Sequence, residues 1–202
     1  MTEKTRRQSK TFARRKELVG ITYRLIAKKG LEGLRTRDIA GAAATDTGTL
    51  HYHFPSKQLL IQAVVERLNE DFRSNRAERT NVPSNAFDEL RNEVLDVVSR
   101  VQKSPQHLVV MLDFVVRASR DKAVAEILDH TRRDWNDILV GLFHRGIEQG
   151  LFRSDVHPET ASNLLQAQLI GLAIAGLAAP AKVKVLASTL LAQLRSWLSK
   201  QM

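Results

Sequence analysis

The side chains best suited to molecular recognition lie close together near the N-terminus, in one short polar stretch. Thr47, Thr49 and His51 carry groups that can form hydrogen bonds to base edges in the major groove of DNA. Tyr52 and His53 can donate hydrogen bonds to phosphate oxygens. A surface helix normally alternates polar residues with an apolar stripe. This polar composition instead favours a helix that offers its side chains to a nucleic acid.

Small and basic residues surround this stretch. Gly48 has no side chain, so the first turn of the helix can approach a duplex closely. Basic residues on either side are expected to fix the position of the chain on the phosphate backbone. These basic residues are Arg14, Arg15, Arg35, Arg37 and Lys57. The predicted DNA-contacting set comprises Arg35, Thr36, Arg37, Thr47, Gly48, Thr49, His51, Tyr52, His53 and Lys57.

A metal site is the alternative interpretation of His51 and His53. Residues two apart on a helix do not share a face, so the two imidazoles cannot easily bind one ion. The chain has no cysteine, and no carboxylate stands at ligand spacing beside them. The sequence therefore predicts neither a metal ion nor a cofactor.

Positive charge is concentrated in the first quarter of the chain. Residues 1–57 contain 13 Lys and Arg against 5 Asp and Glu, a balance of +8 out of the total of +9. A polarised basic surface indicates one face for a polyanion rather than general stickiness. The N-terminal tail adds Lys4, Arg6, Arg7 and Lys10. This tail is either a solvated segment or a further contact to the nucleic acid, and both readings stay open.

Local signals place the polar stretch inside three short elements. A first helix is expected to end at Gly30, and Thr36 or its neighbour is expected to cap a second helix. Asp46 is expected to cap a third helix that ends at Phe54. Phe54 is expected to be buried, and Tyr52 could be partly in the core. A longer helix follows Pro55 and Ser56. Two short helices around a tight turn are typical of a helix-turn-helix.

The rest of the chain reads as helices alone. Residues 81–85 break the periodicity, so the chain is predicted to join two domains near that point. Gly150 is expected to end one later helix, and Pro158 to begin another. No strand pattern is present. We predict an all-α protein with a DNA-binding domain at 12–68 and a larger helical domain at 69–202.

Composition excludes several classes of protein. The absence of cysteine excludes disulfides and suits a reducing cytoplasm. The N-terminus is charged, so no signal peptide is predicted. The most apolar run, residues 169–180, is too short to cross a bilayer. A soluble, cytoplasmic protein is expected.

Residues 14–68 resemble the DNA-binding domain of TetR-type (tetracycline-repressor family) regulators. The matching fragments are GLEG at 30–33, RDIA at 37–40, GTL at 48–50, YHF at 52–54 and PSK at 55–57. The resemblance implies a homodimeric transcription factor, usually a repressor, that a small-molecule effector held in the C-terminal domain releases from a palindromic operator. The chain departs from the family pattern at Ala44, Thr45, Asp46 and His51, so the operator sequence stays open.

Asp113 is the unusual residue of the C-terminal part, because it interrupts an apolar run. It could face outward or form an (i, i+4) ion pair with Arg117. Alternatively, it could contact a cationic effector. The residues that could line such a ligand site are His107, Met111, Asp113, Phe114, Trp135 and Phe143. Aromatic residues at helical spacing can equally be ordinary core.

Small residues in the segment 164–179 predict close helix packing; they are Ala167, Gly171, Ala173, Ala175 and Gly176. They could pack the last two helices within one chain, or form the interface of a homodimer. A dimer has its own physical reason, since one recognition helix reads only a few base pairs. The last two helices are therefore assigned to a dimer interface.

Three other functions compete with a ligand-responsive repressor. An enzyme would need convergent acids, bases or ligands, which the scattered histidines and Asp113 do not supply. A ligand-independent DNA-binding or scaffolding protein would have a filled C-terminal core. An activator cannot be separated from a repressor by sequence. No enzymatic activity is expected.

Overall fold

The computed structural model describes residues 3–80 and 85–199, and its described residues are helical, with no strand. The first four helices are α1 (Glu3–Lys29), α2 (Thr36–Ala42), α3 (Thr47–His53) and α4 (Lys57–Thr80). The next are α5 (Ala86–Lys103), α6 (Pro105–Ala118) and α7 (Lys122–Glu148). The chain ends with α8 (Pro158–Ala178), a 3₁₀ turn at Pro180–Lys182, and α9 (Val183–Leu198). The predicted all-α class is confirmed.

The chain folds into two compact units. The first unit combines the chain up to Asn75 with Val109–Asp129, and the second combines Arg76–Leu108 with the chain from His130 onward. These units follow packing rather than chain order, whereas the predicted domains, 12–68 and 69–202, stay a prediction. Apart from Asn85, the predicted joint at 81–85 lies outside the described residues.

Apolar residues at three- and four-residue intervals build the core of the first unit. Within it α1 packs against both α2 and α3. The largest fully buried side chains there are Leu18, Ile26, Ile39, Leu50, Phe54, Leu60, Leu68 and Phe114. Burying each such side chain stabilises the fold by about 1.5–3 kcal/mol relative to leaving it exposed. The short helices α2 and α3 therefore hold their positions through this shared core.

Local residues set the helix boundaries, largely as predicted. Gly30 and Gly150 adopt left-handed backbone conformations, with φ of +75° and +69°, directly after α1 and α7. Pro158 is the first residue of α8. The expected cap at Thr36 falls on its neighbour, because α2 begins at Thr36 and has Arg35 as N-cap. No side-chain hydrogen bond is made at that cap.

In the second unit, α5 packs against both α8 and α9. The rings of Phe143 and Phe152, both buried, lie 5.8 Å apart between centroids. Gly146 is required beside them, because a Cβ there would overlap the Phe152 ring. These contacts build a core separate from that of the first unit.

The expectation about membrane spanning needs one correction. Helix α8, Pro158–Ala178, is long and apolar enough to cross a bilayer by length and composition, with a mean hydropathy of 1.4 in its most apolar window. However, Leu165, Leu169 and Leu172 are buried on one side of it, among the residues of the second core. A core helix of a globular protein has these properties as well.

Candidate nucleic-acid interface

A left-handed residue closes the turn between α2 and α3. Ala44 has φ of +48°, and the amide of the following Thr45 donates to the Ala40 carbonyl at 3.0 Å. This hydrogen bond satisfies a free carbonyl at the end of α2. An L-residue in this conformation costs about 1–2 kcal/mol, and glycine avoids the cost. Ala44 is one of the positions where the chain departs from the family pattern.

Asp46 caps α3, as predicted. Its Oδ1 accepts a hydrogen bond from the Thr49 amide at 2.7 Å, and its Oδ2 accepts one from the Thr49 hydroxyl at 2.9 Å. The bond from the Thr49 amide, followed by that from its hydroxyl, lowers the pKa of the Asp46 carboxyl. Since the Thr49 hydroxyl proton is used in this way, its oxygen remains available as an acceptor.

Gly48 has a second physical reason beyond access for DNA. A Cβ at this position would lie 2.9 Å from the Asp46 Oδ1, closer than side-chain carbons come to other atoms. The carboxylate that caps α3 therefore requires a glycine two residues later. Sequence reasoning explained Gly48 through the duplex alone.

The outward face of α3 is polar. Thr47 and His51 are exposed, while Leu50 on the opposite face is buried. Tyr52 is 71% exposed, so the alternative that placed it partly in the core is wrong. Its ring meets the His53 ring edge-on, with 5.2 Å between the centroids. Thr49 and His53 are half-buried, and α3 thus presents a compact set of donors and acceptors.

Two arginines of α1 brace the helix-turn-helix. The Arg14 Nη2 donates to the Ala43 carbonyl at 2.8 Å, at the end of α2. The Arg15 Nη1 donates to the His53 carbonyl at 2.9 Å, and its guanidinium lies 4.2 Å from the centroid of the Phe54 ring. Sequence reasoning gave both residues to the phosphate backbone. Their partners within the chain show that they also position the turn and the end of α3.

The remaining basic residues differ in how free they are. Arg35 and Arg37 are exposed at the start of α2. The Lys57 Nζ donates to the Leu34 carbonyl at 2.8 Å. An ammonium group has three protons, so Lys57 retains two for another partner. Thr36, also predicted to contact DNA, is half-buried at the first position of α2.

Asp113 lies in the first unit, beside the loop that follows α1. Its Oδ2 accepts a hydrogen bond from the Leu31 amide at 2.5 Å. The expected ion pair between Asp113 and Arg117 is wrong, because the guanidinium of Arg117 pairs with Asp121 and Glu32, each at 3.2 Å. Helix α6 therefore holds the α1–α2 loop through a carboxylate and a guanidinium.

The six residues predicted to line a ligand site divide between the two units. Met111, Asp113 and Phe114 belong to the first, and His107, Trp135 and Phe143 belong to the second. Phe114 and Phe143 are fully buried. The Trp135 indole donates to Glu93 Oε2 at 3.3 Å. Their binding role stays a prediction.

One open cavity of about 380 Å³ lies within the first unit. Apolar side chains of Leu31, Ile61 and Val124 line it, together with the charged groups of Lys57 and Arg117. Across the described part of the chain, no group of three or more His, Asp or Glu side chains could hold a metal ion.

Comparison with known families decides the classification. Residues 21–64, which contain α2 and α3, match the family model described as "Bacterial regulatory proteins, tetR family". Residues 87–201, more than half of the chain, match the model described as "BetI-type transcriptional repressor, C-terminal". The chain belongs to the TetR family. Members of the TetR family are transcriptional regulators rather than enzymes, so this chain is a DNA-binding regulator.

Individual relatives in the TetR family are distant in sequence but similar in fold. The transcriptional repressor KstR2 of Rhodococcus jostii is 26% identical over 153 residues, which cover 76% of this chain and 74% of the relative. A TetR regulator from Chloroflexus aurantiacus superposes with a TM-score of 0.82 at 19% identity, covering 96% of this chain and all of the other. A regulator from Saccharomonospora viridis in complex with choline gives a TM-score of 0.81 at 21% identity, covering 93% and 98%.

Proposed function

We propose that this TetR-family protein is a homodimeric repressor that binds a palindromic operator and that a small-molecule effector releases. The observation that carries the proposal is the polar face of α3, on which Thr47, His51 and Tyr52 are exposed. The Asp46 cap and the Arg15 brace hold this helix at its two ends. A rigid helix with an exposed polar face suits insertion into the major groove.

In this proposal the residues of the site share the work of recognition. Thr47, Thr49 and His51 contact base edges, and Gly48 allows close approach. Tyr52 and His53 contact the phosphates beside the groove. The backbone contacts are extended by residues at the start of α2 and α4: Arg35, Thr36, Arg37 and Lys57.

The exposed side of α8 and α9 supports dimerisation through the last two helices. Leu164, Ile174 and Val185 are 49%, 53% and 67% exposed in the single chain. Leu164 and Ile174 stand ten residues apart on α8, and Gly171 between them has open space around it. Exposed apolar side chains together with small residues suit the close approach of a second copy.

The small residues of α8 support both packing alternatives at once, because they lie on two faces. A Cβ at Gly176 would come within 2.8 Å of Val101 and Val183, so Gly176 serves packing inside the chain. Ala173 is likewise buried, whereas Ala167 and Gly171 are exposed. The inward face closes the second core, and the outward face is the one we assign to the dimer.

Effector release would act through α6. This helix begins in the second unit and continues into the first, where Asp113 holds the Leu31 amide. An effector that favours a state with α6 displaced would loosen this hold on the loop before α2. A tenfold preference for that state is worth about 1.4 kcal/mol per site.

A small cation is the first effector class to test. The structural relative from Saccharomonospora viridis is in complex with choline, a quaternary ammonium ion. In this chain the indole of Trp135 and the carboxylate of Glu93 stand together in the second unit. An aromatic face beside a carboxylate suits such a cation. Of the six predicted ligand residues, we propose Trp135 and His107 as effector contacts, because neither is fully buried.

The proposal is tested by selection of DNA from random duplexes with the purified full-length protein, in the cytoplasm-like conditions where such a regulator would act. The expected result is an inverted repeat whose half-sites lie about one helical turn apart, or a multiple of it. Enrichment of a single unrepeated half-site would contradict the dimer. Transcription from a reporter carrying the selected site would separate repression from activation.

A further inference from the structure

We propose that the N-terminal part of α1 is a second DNA-binding element, a basic arm that follows the phosphate backbone beyond the half-site read by α3. The arm is residues 3–13 of α1. This proposal deepens the DNA-binding function and rests on it. The polyanion is recognised here through charge, with no reading of bases.

The arm extends α1 beyond the packed unit. Leu18 is the first residue of α1 whose side chain is buried. Every described side chain from Thr5 to Ala13 is exposed. At about 1.5 Å per residue, the helix from Thr5 to Leu18 covers about 20 Å. Packing against the core therefore accounts for the second half of α1 and leaves the first half without a structural reason.

A row of cations runs along this arm. Arg6, Lys10 and Arg14 follow one another at intervals of four residues, so they share one face of the helix. Arg6 and Lys10 are exposed, and no ion pair joins either of them to another residue within the described ranges. Like charges at this spacing repel each other by about 0.2–0.5 kcal/mol per pair. A polyanion along the row would remove that repulsion.

The row begins at the helix-turn-helix itself. Arg14 donates to the Ala43 carbonyl, and the neighbouring Arg15 donates to the His53 carbonyl. These two bonds fix the direction of α1 relative to α3. From Arg14 to Arg6 the row measures about 12 Å, which corresponds to about four base pairs at about 3.4 Å per phosphate along one strand. The arm can thus reach phosphates that flank the half-site.

The experiment uses the full-length protein and two duplexes that carry the selected operator. One duplex has six base pairs of flanking DNA on each side, and the other has none. The test variant is Arg6→Gln with Lys10→Gln, since glutamine preserves helix propensity and removes two charges. The control, Lys16→Gln with Lys103→Gln, removes the same charge at two exposed lysines away from the row.

Removal of the flanks is expected to weaken binding of the wild type and the control by about tenfold, and to change binding of the test variant little. On the long duplex, the slope of log affinity against log salt should fall by about 1.8 per arm in the test variant, because each neutralised phosphate contributes about 0.9. Equal loss of affinity in wild type and test variant on trimming would overturn the arm. Failure of the wild type to select any DNA would instead overturn the DNA-reading function itself.

Discussion

The Arg15 guanidinium lies over the Phe54 ring, 4.2 Å from its centroid, while its Nη1 donates to the His53 carbonyl at 2.9 Å. One side chain of α1 thus holds both the last residue of α3 and the buried aromatic that follows it. This relationship separates two roles that basic residues near DNA can have. Arg15 positions the reading helix, whereas exposed cations such as Arg37 remain free to meet phosphates.

Replacement of Arg15 by lysine should weaken operator binding, although the charge is kept. Lysine cannot stack on Phe54 as a planar fork does, so the end of α3 loses its brace. Cation–π contacts at exposed sites contribute about 0.5–1 kcal/mol. We expect a decrease of about 1 kcal/mol in the free energy of unfolding, measured with urea, and several-fold weaker binding by fluorescence anisotropy. Lys16→Arg serves as the control, and equal effects of the two changes would refute the brace.

Replacement of Ala44 by glycine should stabilise the protein. Glycine removes the left-handed penalty at φ of +48°, and part of the gain is lost to the more flexible unfolded chain. A net gain of about 0.5–1 kcal/mol corresponds to a rise in Tm of about 1–4 °C for a chain of this size. The same change at Ala42, inside α2, should lower the Tm. A lower Tm for Ala44→Gly would show that the turn has another conformation.

Stability should depend on pH through Asp46. Hydrogen bonds from Thr49 hold its pKa below the ordinary value of about 3.9, so its contribution is present above that value. The contribution is lost as the pH falls through the lower pKa of the folded state. Asp46→Asn keeps an acceptor for the cap but has no carboxyl to titrate. Wild type should therefore lose more stability than Asp46→Asn between about pH 5 and pH 3, measured by chemical unfolding; parallel curves would contradict the cap.

A charge on the outer face of α8 should separate the dimer. Ile174→Asp places a carboxylate among Leu164 and Gly171, where a second copy would desolvate it. We expect the variant to sediment as a monomer and to lose most of its affinity for the palindromic site. Gln102→Asp, an exposed position on α5, is the control. A dimer that persists in Ile174→Asp would place the interface on another surface.

The parts of the fold that depend on neighbouring residues could be predicted from sequence. Gly30 and Gly150 end helices through their own backbone conformations, and Asp46 caps a helix through an amide three residues away. Each of these effects acts within a few positions of the chain, so a local pattern carries it.

Partners distant in sequence could not be predicted. Asp113 meets an amide 82 positions away, and Arg15 meets a carbonyl 38 positions away. Spacing along one helix indicated Arg117 for Asp113 and phosphates for Arg15. Only the packing of α6 and α1 against the loops brings the actual partners within hydrogen-bond distance. The roles of these side chains in positioning α2 and α3 therefore required the structure.

The most direct measurement of the central claim is the affinity of the selected operator for wild type and for a Thr47→Ala, His51→Ala double variant. Both side chains are exposed on α3, so their removal should leave the Tm and the sedimentation behaviour nearly unchanged. Each lost base contact is worth about 1–3 kcal/mol, so we expect affinity to fall by at least tenfold at constant salt. Affinity for a scrambled duplex should change little. An unchanged operator affinity would show that α3 does not read the DNA.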